Sequence, residues 1–176
     1  MEPMISLLKG VNVGGHGKIK MDLLRDLYTG IGLKDPRTYI QSGNVVFLAK
    51  EKHRDHIARQ ISDAIEHACG FRPEVAVRTL PEMQGIVARY PFAGREPAKV
   101  AVLFLTGEPV APETLVVKPC KEEWKLDGQE MFVYFPDGMG KTKFSVPSLE
   151  KSLKTFATAR NWNTVLKLVE MACELA

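Results

Sequence analysis

The sequence predicts an α+β protein, and three observations lead there. Short apolar segments of strand length alternate with amphipathic segments of helix length. Glycine and proline sit at many of the junctions. The first six segments, over residues 4 to 80, run β-α-β-β-α-β, the order of a ferredoxin-like plait with an antiparallel sheet and two helices on one face. A second α+β set, within residues 81 to 176, fits a plait with altered edges, so the expected organisation is two plait domains (1–80 and 81–176) with antiparallel or mixed sheets.

Local chemistry places each element. "MISLLKGV" is an apolar run of strand length that ends in glycine. Met21, Leu24, Leu27, Tyr28 and Ile31 recur at helical spacing, and Gly30 and Gly32 close that segment. "RTYIQ" and "NVVFLA" are rich in β-branched and aromatic residues, with "SG" between them as a tight hairpin turn. Ile57, Ile61, Ala64, Ile65 and Ala68 mark one face of a helix from Lys52 to Cys69, stopped by Gly70. "EVAVRTL" is a fourth strand, and Pro81 suits the start of a further helix to about Tyr90. After the connection "YPFAGREPAK" come a buried strand "VAVLFL", a short segment led by Pro112, and a pair "EEWKLD" and "EMFVYF" joined by Gly128 and Gln129. A C-terminal helix is expected from about Asn161, with Thr158 as its cap.

Composition narrows the class. With 45% hydrophobic and 26% charged residues, the chain has the make-up of an ordinary globular protein. It lacks the run of about 18 apolar residues that a membrane span needs, and "MEPMISLLKG" lacks the basic start and cleavage site of a leader. A cytoplasmic protein with no membrane partner is expected. Cys69, Cys120 and Cys173 are scattered and form no CxxC pair, which predicts reduced thiols and neither a disulfide framework nor a zinc site. The net charge of +3 is small, but Lys141, Lys143, Lys151, Lys154, Arg160 and Lys167 stand against Glu150 alone, a local excess of five positive charges.

"KGVNVGGHGK", residues 9 to 18, has the look of a phosphate loop. A Walker A loop ending at Gly17-Lys18 would put Asn12 at the first glycine and Ile19 at the magnesium-binding hydroxyl. The dinucleotide fingerprint fails at Asn12, and again at Lys20 if it starts from Gly15. What survives is the general mechanism: glycines let backbone amides approach an anion, and a helix N-terminus adds unpaired N–H groups and a favourable dipole. The alternative is a glycine-rich connection that lets the first strand turn into the first helix.

"LLKGVNVGGHGKIKM", "RTYIQSGNVVF" and "TARNWNTVLKL" resemble, in that order, the three signature segments of the bacterial domain-of-unknown-function family 1697. The similarity runs over essentially the whole chain and departs from the family pattern at Gly17, Val146 and Ala159. The resemblance implies two α/β plait domains; it supplies no activity, substrate or cofactor.

The three segments share a chemical character, amides and hydroxyls beside a few cations. They nominate Lys9, Asn12, Gly14, Gly15 and Lys18 in the first, Gln41, Ser42 and Asn44 in the second, and Arg160 and Asn161 in the third, with Lys143 from the basic stretch. Against a single pocket, the loop leaving the first strand and the turn before the third can sit at opposite ends of a plait sheet. "QSGN" is also what a tight turn demands. Arg160, expected near a helix N-terminus where a cation is disfavoured, wants either an internal acid or a bound phosphate or carboxylate gripped with Lys143 and helix amides.

Catalytic constellations are weaker. His53 and His56 flank Asp55 but have no third metal ligand nearby, and a surface helix accounts for them. His16 has the chemistry of an acid or base near neutral pH, and Cys120 stands among Lys118 and Lys121, whose charges would lower its thiol pKa. The reading that results is a protein binding an anionic ligand, a nucleotide or a nucleic-acid phosphate, at the glycine loop and the basic C-terminal segment. Tyr39 or Phe47, if exposed on the sheet, would give bases a stacking surface. The alternatives are a small-molecule enzyme of unassigned reaction and a protein-interaction module whose signature segments are structural; whether the chain is an enzyme, and which cofactor it would use, stay open.

Overall fold

The computed structural model describes residues Met1–Ala176. The first six elements are β1 (Glu2–Leu8), α1 (Met21–Gly30), β2 (Lys34–Tyr39), β3 (Asn44–Ala49), α2 (Arg54–Cys69) and β4 (Val75–Thr79). They build a four-stranded sheet of order β2-β3-β1-β4 with every neighbouring pair antiparallel, which is the expected plait. Then come α3 (Leu80–Ala88), β5 (Val100–Leu105), β6 (Glu123–Asp127), β7 (Glu130–Tyr134), α4 (Val146–Leu153), β8 (Ala157–Asn161) and α5 (Trp162–Cys173). Their sheet has the order β6-β7-β5-β8, again antiparallel throughout, so the same strand order is used twice.

Two compact units result: Met1–Gly85 together with Lys167–Ala176, and Ile86–Leu166. The last ten residues, expected with the second domain, therefore cluster with the first.

In the first unit, strand alternation sends Met4, Val45, Phe47 and Val77 to the face that α1 and α2 cover, where they meet Leu24, Tyr28, Ile57 and Ile61. The helices sit there because their apolar stripes repeat at three and four residues. Tyr28 is buried with its ring edge-on to Phe47 at 5.5 Å. Its hydroxyl shares a 2.7 Å hydrogen bond with Ser6 Oγ. Burial pushes that phenol above its ordinary pKa, although the Ser6 bond acts in the opposite sense. Tyr28→Phe leaves Ser6 with only a longer contact to the Val45 carbonyl, and is expected to cost about 1 kcal/mol in urea unfolding.

The second unit differs in its cover. Ala101, Leu103, Met131 and Val133 face Phe144, Leu149 and Leu153, so α4 is the helix on that side. Where the first unit has α1, the second has a 3-10 turn at Pro112–Thr114 followed by chain without helix or strand. On the opposite face Trp162 stacks on Tyr90, with ring centroids 4.3 Å apart, and lies beside Phe132.

Three local expectations are corrected. The β2-β3 hairpin uses four residues, Ile40 to Gly43, because Tyr39 pairs with Asn44; Ile40 and Gly43 both take positive φ, at 49° and 77°. Two elements had gone unread, α4 and β8. The signal for α4 was present: Ser145 caps it by accepting the Ser148 N–H, Pro147 sits in its first turn, and Leu149 and Leu153 are four apart. Thr158 is no helix cap, since it lies buried inside β8 opposite Phe104. Asn161 does the capping instead, its Oδ1 accepting the Asn163 N–H at 3.0 Å.

Candidate functional site

The loop between β1 and α1 is organised by one side chain. Asn12 takes a left-handed φ of 54°, which asparagine tolerates better than most residues. Its Nδ2 donates to the Ile19 carbonyl at 3.0 Å and to the Gln41 carbonyl at 2.9 Å, while its Oδ1 accepts the Ile19 N–H at 2.9 Å. Asn12 N–H donates in turn to the Gly17 carbonyl. One amide thus closes the loop on itself and ties it to the β2-β3 connection.

The expectation that these two loops sit at opposite sheet ends is overturned. β1 pairs antiparallel with β3, with Leu7 opposite Asn44, so the end of β1 lies beside the start of β3. Leu8 N–H accordingly donates to the Gly43 carbonyl at 2.9 Å.

The glycines have structural work. Val13 and His16 form an isolated antiparallel bridge around Gly14 (φ 56°) and Gly15 (φ 80°), a two-residue turn with both central residues at positive φ. At Gly17 a Cβ would collide with the Gly10 carbonyl oxygen, so the loop closes only with hydrogen there.

What remains accessible is an open cleft lined by Asn12, Gly15, Gln41, Lys18, Lys20 and the first turn of α1. Lys20, at the N-cap, has extended backbone and no side-chain cap bond. Asp22 in the first turn is occupied by Arg25. Lys18 and Lys20 are exposed and neither pairs with an acid of the chain, although both stand at the positive end of α1. Lys18 and the amides of a helix N-terminus are both legible in the sequence; Lys20 is not among the nominated residues, although "KIKMD" puts both lysines directly before a helix start.

Other nominated residues go elsewhere. Lys9 lies on the β4 side, its N–H donating to the Glu74 carbonyl, and partial burial holds its amine below the usual lysine pKa against the pull of Glu74. Asn44 is buried, and its Nδ2 donates to the Tyr39 carbonyl at 3.1 Å and Ser42 Oγ at 2.9 Å, so both residues close the hairpin. In the second unit Arg160 lies in β8 opposite Val102, on the face away from α4, whereas Lys143 adjoins Phe144 on the α4 side. The joint phosphate grip by these two cations is corrected, because they stand on opposite faces of one sheet. Arg160 Nη1 donates to Thr158 Oγ1 at 2.7 Å and to the Ala159 carbonyl at 2.9 Å, and burial brings its pKa down to about 10. Asn161 donates to the Ala98 carbonyl besides capping α5.

The proposed stacking surface also fails for Phe47, which is fully buried beneath α1 and α2. The other face of that sheet is covered over Ile5, Leu7 and Val46, which are fully buried, while Arg37, opposite Val46, reaches Glu174 at 3.4 Å and Tyr39, opposite Asn44, is half-buried.

No group of three or more His, Cys, Asp or Glu side chains is arranged to hold a metal ion. His53 donates its backbone N–H, and His56 presents Nδ1, to Glu51, which lowers the Glu51 pKa. Cys120 was expected to have a lowered pKa; desolvation and its neighbour Glu122 raise it instead, and Lys121 is drawn off to Asp137. No helix is long and apolar enough to cross a membrane.

The family model for proteins of unknown function DUF1697 matches residues 1–132. The chain belongs to this family. Among solved structures, a conserved bacterial protein from Streptococcus pneumoniae is similar, with a TM-score of 0.70 and 22% identity over 97% of this chain and 98% of that one. At that identity the likeness speaks for the fold alone. No curated protein is significantly similar to the chain. In this DUF1697 member the first two signature segments meet through the Asn12–Gln41 bond, while the third supplies a strand, a buried guanidinium and a helix cap.

Proposed function

We propose that this protein binds a phosphate-bearing anion, of nucleotide type, in the cleft between the glycine loop and the first turn of α1. The observation that carries the reading is the pair Lys18 and Lys20, both without an acidic partner, beside an α1 N-terminus that no side chain caps. Unpaired N–H groups, the helix dipole and two lysines together favour a phosphate there. Asn12 contributes by fixing the loop, so the anion need not order it on binding. Phe47 is buried and Tyr39 is half-buried, so the sheet offers no row of exposed rings, which favours a nucleotide over a nucleic-acid strand stacked on the sheet.

The test is a titration of the whole chain with mono- and triphosphate nucleotides, inorganic phosphate and a short oligonucleotide. A nucleotide at about 100 times its Kd is expected to raise the melting temperature by roughly 5 to 10 °C. The double variant Lys18→Glu/Lys20→Glu is expected to weaken binding by about tenfold or more. Unchanged affinity in that variant, or no shift with any phosphate compound, refutes the reading. A steep loss of affinity with salt for the oligonucleotide alone would transfer it to nucleic acid.

A further inference from the structure

Each crossover of a plait ordinarily lays a helix over the sheet. The crossover from β5 to β6 does not: after the 3-10 turn at Pro112–Thr114 it runs as a strap without helix or strand from Leu115 to Cys120. Leu115 and Val117 pack onto the cluster of Leu103, Phe144 and Leu149, while Val116 between them is 84% exposed. A strap carries less side-chain volume than a helix, so the apolar cover is incomplete. A cavity of about 230 Å³ opens between the strap and α4.

Its walls combine three kinds of surface. Leu115, Val117, Phe144 and Leu149 are apolar, Ser145, Ser148 and Ser152 of the α4 side add hydroxyls, and Lys118 and Lys143 are exposed cations at the mouth. The strap is anchored at both ends. Val110 N–H donates to the Leu153 carbonyl at 2.9 Å, and past the strap the Glu122 carboxylate accepts from the Thr142 hydroxyl, whose oxygen accepts the Phe144 N–H at 2.9 Å. The charge at the mouth is uncompensated: Lys121 pairs with Asp137, but Lys118 and Lys143 pair with no acid of the chain. Ser145 already occupies the N-cap of α4, so the attraction for an anion comes from the lysines rather than the helix end.

We infer that this cavity binds a small amphipathic anion, a medium-length alkyl or aryl chain bearing a carboxylate or a phosphate. The chain lies against Leu115, Val117, Phe144 and Leu149, and the head between Lys118 and Lys143. The volume falls below the roughly 300 to 1,000 Å³ of pockets for drug-sized ligands, which restricts the occupant to a small metabolite. The site is separate from the cleft at Lys18 and Lys20 and takes a different chemical class, one needing an apolar tail.

The full chain is titrated with octanoate, octyl phosphate, octanol and inorganic phosphate, followed by amide NMR shifts. Saturable shifts at residues 115–118 and 143–152 are expected with both amphipathic anions. Octanol and inorganic phosphate should bind more weakly by about tenfold or more, and the stronger of octanoate and octyl phosphate identifies the head group. Lys118→Glu and Lys143→Glu, at exposed positions, should each weaken octanoate binding. Ser152→Phe, on the exposed side of α4 at the cavity, should abolish it with the melting temperature unchanged. Lys18→Glu/Lys20→Glu should bind octanoate like the wild type, which keeps the outcome apart from that of the nucleotide reading. The inference is overturned by an absence of saturable shifts, by shifts confined to other residues, by octanol binding as tightly as octanoate, or by undiminished affinity in both lysine variants.

Discussion

Trp162→Ala is expected to lower the melting temperature by about 10 °C. Trp162 is 5% exposed, stacks on Tyr90 at 4.3 Å with 19° between the rings, and lies 6.4 Å from Phe132. Truncating a buried tryptophan loses its transfer energy and leaves a cavity, together about 3 to 5 kcal/mol. In a chain of this size each kcal/mol moves the midpoint by roughly 2 to 4 °C. Trp162→Phe keeps a ring against Tyr90 and should recover more than half of the loss. Differential scanning calorimetry decides: equal melting of wild type and the alanine variant would mean that the stack contributes nothing to the second unit.

Asn12→Ala is the second large effect, and it bears on the candidate site. The change removes three hydrogen bonds, each worth about 1 kcal/mol net. It also puts a Cβ residue without a compensating side chain at φ 54°, a further cost of about 1 kcal/mol. Because the side chain is only half-buried, a total of about 3 kcal/mol is expected in urea unfolding. Asn12→Gly separates the causes, since glycine relieves the φ cost and loses only the bonds. It should be less destabilised than Asn12→Ala by about 1 kcal/mol, and both variants should lose affinity for phosphate compounds because the loop is no longer held. Alanine and glycine variants as stable as the wild type would show that Asn12 does not organise the loop.

The sequence revealed its fold best where periodicity was clean. Leu24 and Tyr28, or Ile57, Ile61 and Ile65, repeat as a helix must, and their burial follows. β3 was harder. "NVVFLA" is apolar on both sides, so alternation could not tell whether Phe47 or Val46 faced outward, and the structure buries both. Arg160 was misplaced because "TARN" reads as a helix entry, whereas Ala157 to Asn161 pair with β5 over residues far away in sequence. The loop at Asn12 was legible as a glycine loop. Its meeting with Gln41 was not, since that depends on the register of β1 against β3, which no local pattern encodes. Lys20 carries no such signal, because it lies beyond the glycine loop, and lysine is not a residue type that marks a helix N-cap.

The first unit is assembled from both ends of the chain, Met1–Gly85 and Lys167–Ala176. The ion pair between Arg37 and Glu174 spans 137 positions. During synthesis at about 5 to 20 residues per second, roughly 7 to 27 seconds separate the emergence of those two partners. The four strands of its sheet are made by Thr79, and the segment from Lys167 onward joins the unit only after the whole second unit has been made. Maturation of the glycine loop's own domain is thereby timed by translation, and a ribosome stalled in the second unit would hold a first unit still lacking its final piece.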